Sequence, residues 1–297
     1  MTWRLRCVND FLCVGMCLCG VGGVGGMNSE NLSPETFQRF CDYVYEKAGI
    51  RLGPQKEALV SARMGKRMRS LGLSRYEDYL RTVKEDTTGD ELVEMLNAIS
   101  TNLTYFFREG QHFKIMESLL RQWSSEGQTR FRIWCAASST GEEPYTIAMT
   151  ARAVLGESCD VKILATDIST RALAVARRGQ YEPRHMEKVP ETFARRFFRK
   201  EKDASGNDCY KVVDELRRMI SFARLNLAHP PYPMKGPFDI VFCRNVMIYF
   251  DNAVRKGLLD EAWRLLKPGG YLMVGHAESL SGMLCELRSV QPSVYIK

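Results

Sequence analysis

Histidine is scarce in this 297-residue chain, which has only His112, His185, His229 and His276. No GxSxG elbow or Ser-His-Asp order accompanies them, which counts against esterase chemistry by a nucleophile relay. No GxxxxGK[ST] run occurs, which argues against a triphosphate cradle. No apolar run reaches the roughly 20 residues that a bilayer-spanning helix needs, and no integral membrane segment is expected. Cys41, Cys135, Cys159, Cys209, Cys243 and Cys285 show no CxxC spacing and have few histidines to join them. Neither a zinc site nor a disulfide framework is indicated; these thiols read as reduced and mostly buried, and no metal is expected.

What is present is the balance of a soluble globular protein, 45% hydrophobic and 26% charged. The length suits two domains. A net charge of +7 is compatible with nucleic acid, anionic lipid or an acidic protein surface, and so modest an excess is most often a solvated face. Positions 1–26 carry Cys7, Cys13, Cys17 and Cys19, a basic start, an apolar stretch at 11–18 and a glycine-rich end. This imitates a signal peptide, but Asp10 and a glycine interrupt it. The formal GxGxxG at Gly20, Gly22 and Gly25 lacks the second strand and acidic residue about 20 positions later that a dinucleotide site requires. The extension 1–26 reads as disordered or not native, with Met27 as the natural start.

Residues 27–100 read as an all-helical domain. Ser33 is a good N-cap with Pro34 at the first helical position, followed by apolar Phe37, Phe40, Cys41, Val44 and Ala48 at helical spacing. A second helix over 55–70 places Leu59, Met64 and Met68 inward and Lys56, Arg63, Lys66, Arg67 and Arg69 largely outward. That basic face is either a docking surface for an acidic partner or merely solvated; nucleic acid is disfavoured because no aromatics interleave and no helix-turn-helix follows. Two further helices run from Ser74 through Val83 and from Asp90 to Ile99, and 101–129 forms a linker and helix.

From Arg130 the pattern changes to short apolar runs alternating with helical stretches, the mark of βαβ units and a parallel sheet. Strands are expected at 131–136, 161–166, 220–225, 238–243 and 271–275. In such sheets ligands bind at the carboxyl ends of the strands. The first strand runs into the small residues Ala136-Ala137-Ser138-Ser139-Thr140-Gly141 and then Glu142-Glu143-Pro144, where carboxylates suit a cationic or hydroxyl-bearing ligand. The second ends at Asp167, placed to accept hydrogen bonds from ribose hydroxyls, or alternatively to cap the following helix. Ala228-His229-Pro230-Pro231-Tyr232 mimics the NPPY element of amino-methylating DNA enzymes but precedes the fourth strand rather than following it, and His229 replaces the asparagine.

Thr101-Asn102-Leu103-Thr104-Tyr105-Phe106-Phe107-Arg108-Glu109, Ala137-Ser138-Ser139-Thr140-Gly141-Glu142-Glu143-Pro144-Tyr145, Thr166-Asp167-Ile168, Cys243-Arg244-Asn245-Val246-Met247-Ile248-Tyr249-Phe250 and Gly275-His276-Ala277-Glu278-Ser279 occur in that order. On these motifs the sequence resembles the chemotaxis protein methyltransferase family, CheR, over roughly 30–297. The resemblance implies a Rossmann-like S-adenosylmethionine methyltransferase sheet at 130–297 with helices on both faces, an all-helical N-terminal domain and a small antiparallel β insertion at about 180–219. It implies cofactor contact from Asn102, Thr104, Arg108, Glu143, Asp167, Asn226, Leu227, Arg244 and Asn245, with Arg108 and Tyr249 at the methyl-transfer centre. It also implies a cytoplasmic enzyme that esterifies glutamates on methyl-accepting chemotaxis receptors, and in some members the insertion's hairpin grips a receptor tail. A glutamate side chain has a reference pKa near 4.3, so this nucleophile is ionised without a general base, in keeping with the few histidines. The rivals are a methyltransferase acting on nucleic acid or a small molecule, and a noncatalytic receptor-docking adaptor.

Overall fold

The structure, a computed structural model, describes residues 32–100, 103–280, 283 and 286–297. The extension 1–26 and Asn102 lie outside the described residues. Four helices open the described chain: α1 (Pro34–Ala48), α2 (Glu57–Ser70), α3 (Tyr76–Glu85) and α4 (Asp90–Ile99). Ser33 caps α1 through its side chain, which accepts from the Thr36 N–H, and the expected apolar stripe from Phe37 to Ala48 is buried. Phe40 packs face to face with Tyr79 and edge-on to Tyr76, joining α1 to α3.

Two expectations for α2 are corrected. Leu59 is only partly buried and lines a cleft; Val60 takes the core position beside Met64 and Met68. Arg63 and Arg67 also turn inward rather than outward. Arg63 donates to the carbonyls of Ala98, Ile99 and Ser100 at 2.8–3.0 Å, closing the end of α4. Arg67 grips Glu91 with two hydrogen bonds, and the Tyr79 hydroxyl donates to the same carboxylate at 2.9 Å. Periodicity alone assigned these arginines to solvent because it cannot see a carbonyl cluster or a buried carboxylate on a neighbouring helix.

After α5 (Gln111–Ser125) the chain alternates β1 (Arg130–Cys135), α6 (Glu142–Leu155), β2 (Asp160–Asp167) and α7 (Thr170–Arg178). An insertion follows with β3 (Gln180–Tyr181), α8 (Glu191–Phe197), β4 (Phe198–Lys202) and β5 (Asp208–Val212), whose strands form an antiparallel sheet in the order β3-β5-β4. The chain then gives α9 (Asp214–Arg217), β6 (Ile220–Arg224), β7 (Phe238–Cys243), α10 (Asn252–Leu265), β8 (Leu266–Val274), β9 (Arg288–Gln291) and β10 (Val294–Ile296). The main sheet runs β6-β2-β1-β7-β8-β10-β9. Its first five strands are parallel, and β10 pairs antiparallel with β8 and β9. This is the Rossmann-like arrangement with an all-helical front domain that the sequence predicts. The β9–β10 hairpin was not anticipated, because its strands are short and β9 is largely exposed, so no apolar run marks it. β8 starts at Leu266, ahead of the expected 271, with a register shift opposite β7.

Every residue of β7 is buried, as a strand covered on both faces requires. Trp134 on β1 is fully buried, and its indole N–H donates to Thr166 Oγ1 at 3.0 Å, tying β1 to β2. The front helices dock onto the carboxyl edge of this sheet at two places. Asn97 on α4 accepts from Ser169 Oγ at 2.8 Å and donates to Thr170 Oγ1 at 3.1 Å, at the start of α7. At the end of α1, Asn226 donates to the Lys47 carbonyl at 2.7 Å, and the Tyr249 carbonyl accepts from the Arg51 N–H. Gly49 lies in this seam with φ +66, and a Cβ there would fall 2.5 Å from Ala228 Cβ, so the close approach requires glycine.

Replacing Arg67 with alanine leaves Glu91 and Tyr79 without their cation. The expected destabilisation is about 2 kcal/mol, between the roughly 0–1 kcal/mol of an exposed pair and the roughly 3–5 kcal/mol of breaking a buried one. Exposed Lys66 and Arg69 changed to glutamate should alter stability by less than about 0.5 kcal/mol. Urea midpoints read both; an unmoved midpoint for Arg67→Ala would deny the pair any part in holding the bundle.

Candidate active site

The carboxyl ends of β2, β1 and β7 open onto one cleft of about 330 Å³, walled on its other side by the front helices through Ala48, Ile50, Leu52, Leu59 and Ile99. Thr104, Arg108, Glu143, Asp167, Asn226, Leu227, Arg244, Asn245 and Tyr249 all line it. The sequence thus singled out one set of neighbours from segments spread over about half the chain.

Asp167 closes β2. One carboxylate oxygen accepts from the Ser139 N–H at 2.8 Å and the other from the Ser169 N–H at 2.9 Å. Ser169, not Asp167, caps α7, accepting from the Ala172 N–H. Burial raises the Asp167 pKa against the pull of those N–H groups. The carboxylate has lone-pair capacity beyond its backbone N–H partners, and it borders the cleft, so it can accept from a hydroxyl there. The Ser139 hydroxyl, at the turn between β1 and α6, is buried without a partner and borders the same space.

Arg244 follows β7, and its side chain is wholly shielded from solvent. It donates to Glu143 at 2.7 Å, to Glu109 at 3.1 Å and to the Arg108 carbonyl at 2.5 Å. The face of Phe113 covers it at 5.4 Å. Glu143, in the first turn of α6, also accepts from the Cys135 thiol at 3.1 Å; burial raises its pKa and Arg244 opposes the rise. Burial likewise works to raise the Glu109 pKa, but the Asn245 amide and Arg244 outweigh it and hold the group below the usual range. Glu109 was quoted within a motif and given no role by sequence reasoning, yet it fastens both Arg244 and Asn245, the latter by an amide donating at 3.1 Å.

Glu278 was missed in the same way. It is buried, and accepts from the Asn245 N–H at 2.6 Å, the Gly275 N–H at 2.7 Å and the Ile248 N–H at 3.3 Å. One carboxylate thereby holds the turn that carries Asn245, at φ +57, and Tyr249. Only the quoted Gly-His-Ala-Glu motif hinted at it. Asn226 is committed at both ends, its amide to Lys47 and its oxygen to the Ala228 N–H at 3.1 Å, so it seals the seam between the front helices and the sheet. Tyr232, from the NPPY mimic, is buried with its hydroxyl on the Leu227 carbonyl, a packing role.

The inner cleft is therefore lined by two carboxylates, Glu143 and Asp167, against the one buried guanidinium of Arg244, which Glu109 holds from behind, and is formally negative. The cations Arg51, Lys56 and Arg108 line the same space from more exposed positions. Such a field fits a cationic, hydroxyl-bearing ligand within and an anionic group at the mouth. Leu225, Leu227, Ile168 and Val246 supply an apolar wall for a flat ring.

Comparison with known proteins agrees with this chemistry. The family described as "CheR methyltransferase, SAM binding domain" matches residues 102–296, and "CheR methyltransferase, all-alpha domain" matches 35–100. The chain is 38% identical over 266 residues to the chemotaxis protein methyltransferase of Salmonella typhimurium, covering 89% of this chain and 90% of that protein. Against that of Escherichia coli the figures are 40% over 252 residues, 84% and 86%. Against chemotaxis protein methyltransferase 2 of Pseudomonas aeruginosa they are 37% over 273 residues, 92% and 96%.

Changing Glu278 to alanine should destabilise the protein by about 2–3 kcal/mol, because buried N–H groups lose their acceptor. Glutamine, which keeps one oxygen, should lose less than alanine does. Denaturant unfolding together with hydrogen exchange at Asn245 and Gly275 reads this; unchanged exchange in the alanine variant would contradict the bracing role.

Proposed function

Because this chain belongs to the CheR methyltransferase family, we propose that it methylates glutamate side chains of chemotaxis receptors, forming glutamyl methyl esters. It is an S-adenosylmethionine-dependent methyltransferase. The observation that carries the finer reading is the single cleft, negative inside and cationic at its mouth, onto which every described residue of the expected site converges.

When bound, S-adenosylmethionine supplies a methyl group on an electrophilic sulfonium. Asp167 is the residue we assign to the ribose hydroxyls, with Leu225 and Leu227 against the adenine. Glu143, held by Arg244, and Asn245, held by Glu109 and Glu278, would bind the cationic end. Thr104 and Asn226 border the same pocket. Since a glutamate is already ionised at neutral pH, the protein has no proton to remove and acts mainly by alignment, an effect that can be large. Arg108 donates one guanidinium N–H to the Leu103 carbonyl at 2.7 Å, which fixes the side chain and leaves its other donors for the incoming carboxylate. Tyr249 offers a hydroxyl from the same rim. Too tight a clamp would quench the nucleophile, and a single partly exposed arginine avoids that.

The exposed charges of α2, Lys66 and Arg69, together with Lys56 at the cleft, are the surface we assign to the acidic receptor helix. The part of the basic face formed by Arg63 and Arg67 is excluded, because both are committed within the bundle. Among the described residues no helix is long and apolar enough to cross a membrane; we place the enzyme on the cytoplasmic side of receptor arrays.

Incubation with tritiated cofactor and receptor-containing membranes should label protein with a base-labile methyl ester. Base-stable label, or label in RNA, would sink the reading. Arg108→Ala should lower turnover by on the order of 100-fold without unfolding the chain; wild-type turnover would remove Arg108 from the mechanism. Activity should fall as salt rises, and Lys66→Glu with Arg69→Glu should weaken receptor binding while sparing cofactor binding. Salt-indifferent methylation by both proteins would refute the docking surface.

A further inference from the structure

A second cavity, of about 290 Å³, lies between the start of α5 and the β9–β10 turn, with His112 and His276 in its wall. His112 is buried, and its Nε2 lies 2.7 Å from Ser293 Oγ. The Ser293 hydroxyl also has the Pro292 carbonyl at 2.6 Å as an acceptor; when it donates there it accepts from the histidine, and the ring hydrogen sits on Nε2. Nδ1 is then a bare lone pair, and it is buried with no hydrogen-bond partner. It faces Glu109 Oε2 at 3.6 Å. In that tautomer two acceptors face each other, and either a proton or a metal cation between them relieves the repulsion. His276 stands beside them, its ring 5.1 Å from that of His112, and one ligand atom each from Glu109, His112 and His276 falls within 4.8 Å of the others.

We propose that Glu109, His112 and His276 form a binding site for a divalent transition-metal ion of the zinc class. A tetrahedral ion holding nitrogen and oxygen at about 2.0–2.2 Å spaces its ligands roughly 3.3–3.6 Å apart. The Glu109–His112 pair already has that spacing, and His276 is exposed and can turn in from the cavity side. Two imidazoles select against calcium and magnesium, which prefer oxygen. Ser293 supplies the hydrogen bond to the second ring nitrogen that commonly orients a ligating histidine. The fourth position opens to the cavity. Arg244 at 3.1 Å and the His276 backbone N–H at 3.3 Å already donate to the same Glu109 oxygen; both compete with the ion and keep the site weaker than a structural zinc centre. The methyl-transfer reading is not needed for this site, although Glu109 belongs to both.

Full-length protein stripped of metal with a chelator and kept reduced by a phosphine should bind one equivalent of Co²⁺, giving weak visible d–d bands without near-ultraviolet thiolate charge transfer. Zn²⁺ should displace the Co²⁺ and raise the melting temperature in proportion to log concentration. His276→Ala, at an exposed position, should keep the metal-free melting temperature and weaken both metals at least tenfold. Absence of saturable Co²⁺ binding, undiminished binding in His276→Ala, or a thiolate band assigning the ion to cysteines would overturn the site.

Discussion

A guanidinium with no access to water organises the functional end of this molecule. Arg244 draws Glu109, Glu143 and the Arg108 carbonyl onto one cation, and those partners come from the segment ahead of the sheet and from the first turn of α6. Burying such a group costs much of what its pairing returns, so its value lies in placement more than in stability. Once Arg244 is fixed, the segment bearing Arg108 has one position relative to the sheet, and Glu143 can point only toward the cleft. Phe106, packed edge-on against Tyr181 and Phe198, holds the same segment from the side of the insertion.

Around that anchor the charges separate by depth. Carboxylates lie inside, where low dielectric strengthens their pull on a cation, and arginine and lysine lie outside, where solvent softens theirs. A reaction that brings a carboxylate to a sulfonium requires both signs in one cleft without the two sets neutralising each other. Glu278 and Asp167 contribute by a different means: each satisfies backbone N–H groups from segments distant in sequence, so that turns rather than side chains are held in register.

Much of this was legible in the residues. The run from Phe238 to Cys243 lacks any period-2 alternation, which marks a strand covered on both faces, and Asp167 stands where a βαβ unit must place its strand-end group. Ser33 and Pro34 announced α1 because capping is a local rule. What sequence reasoning could not supply were pairings decided by tertiary proximity. Nothing in the spacing of α2 says that Arg63 meets three carbonyls at the end of α4 or that Arg67 meets Glu91. Glu109 and Glu278 sat inside recognised motifs, yet their partners lie 135 and 33 positions away, and no periodicity links such groups. The β9–β10 hairpin escaped notice for a related reason, since an exposed edge strand leaves no apolar signature.

The front helices are more than a neighbour of the sheet, for they supply one entire wall of the cleft, latched by Asn97 on one flank and Asn226 on the other. A ligand seated there is held by both layers at once. Neither layer can be inherited, swapped or trimmed alone without leaving half a pocket.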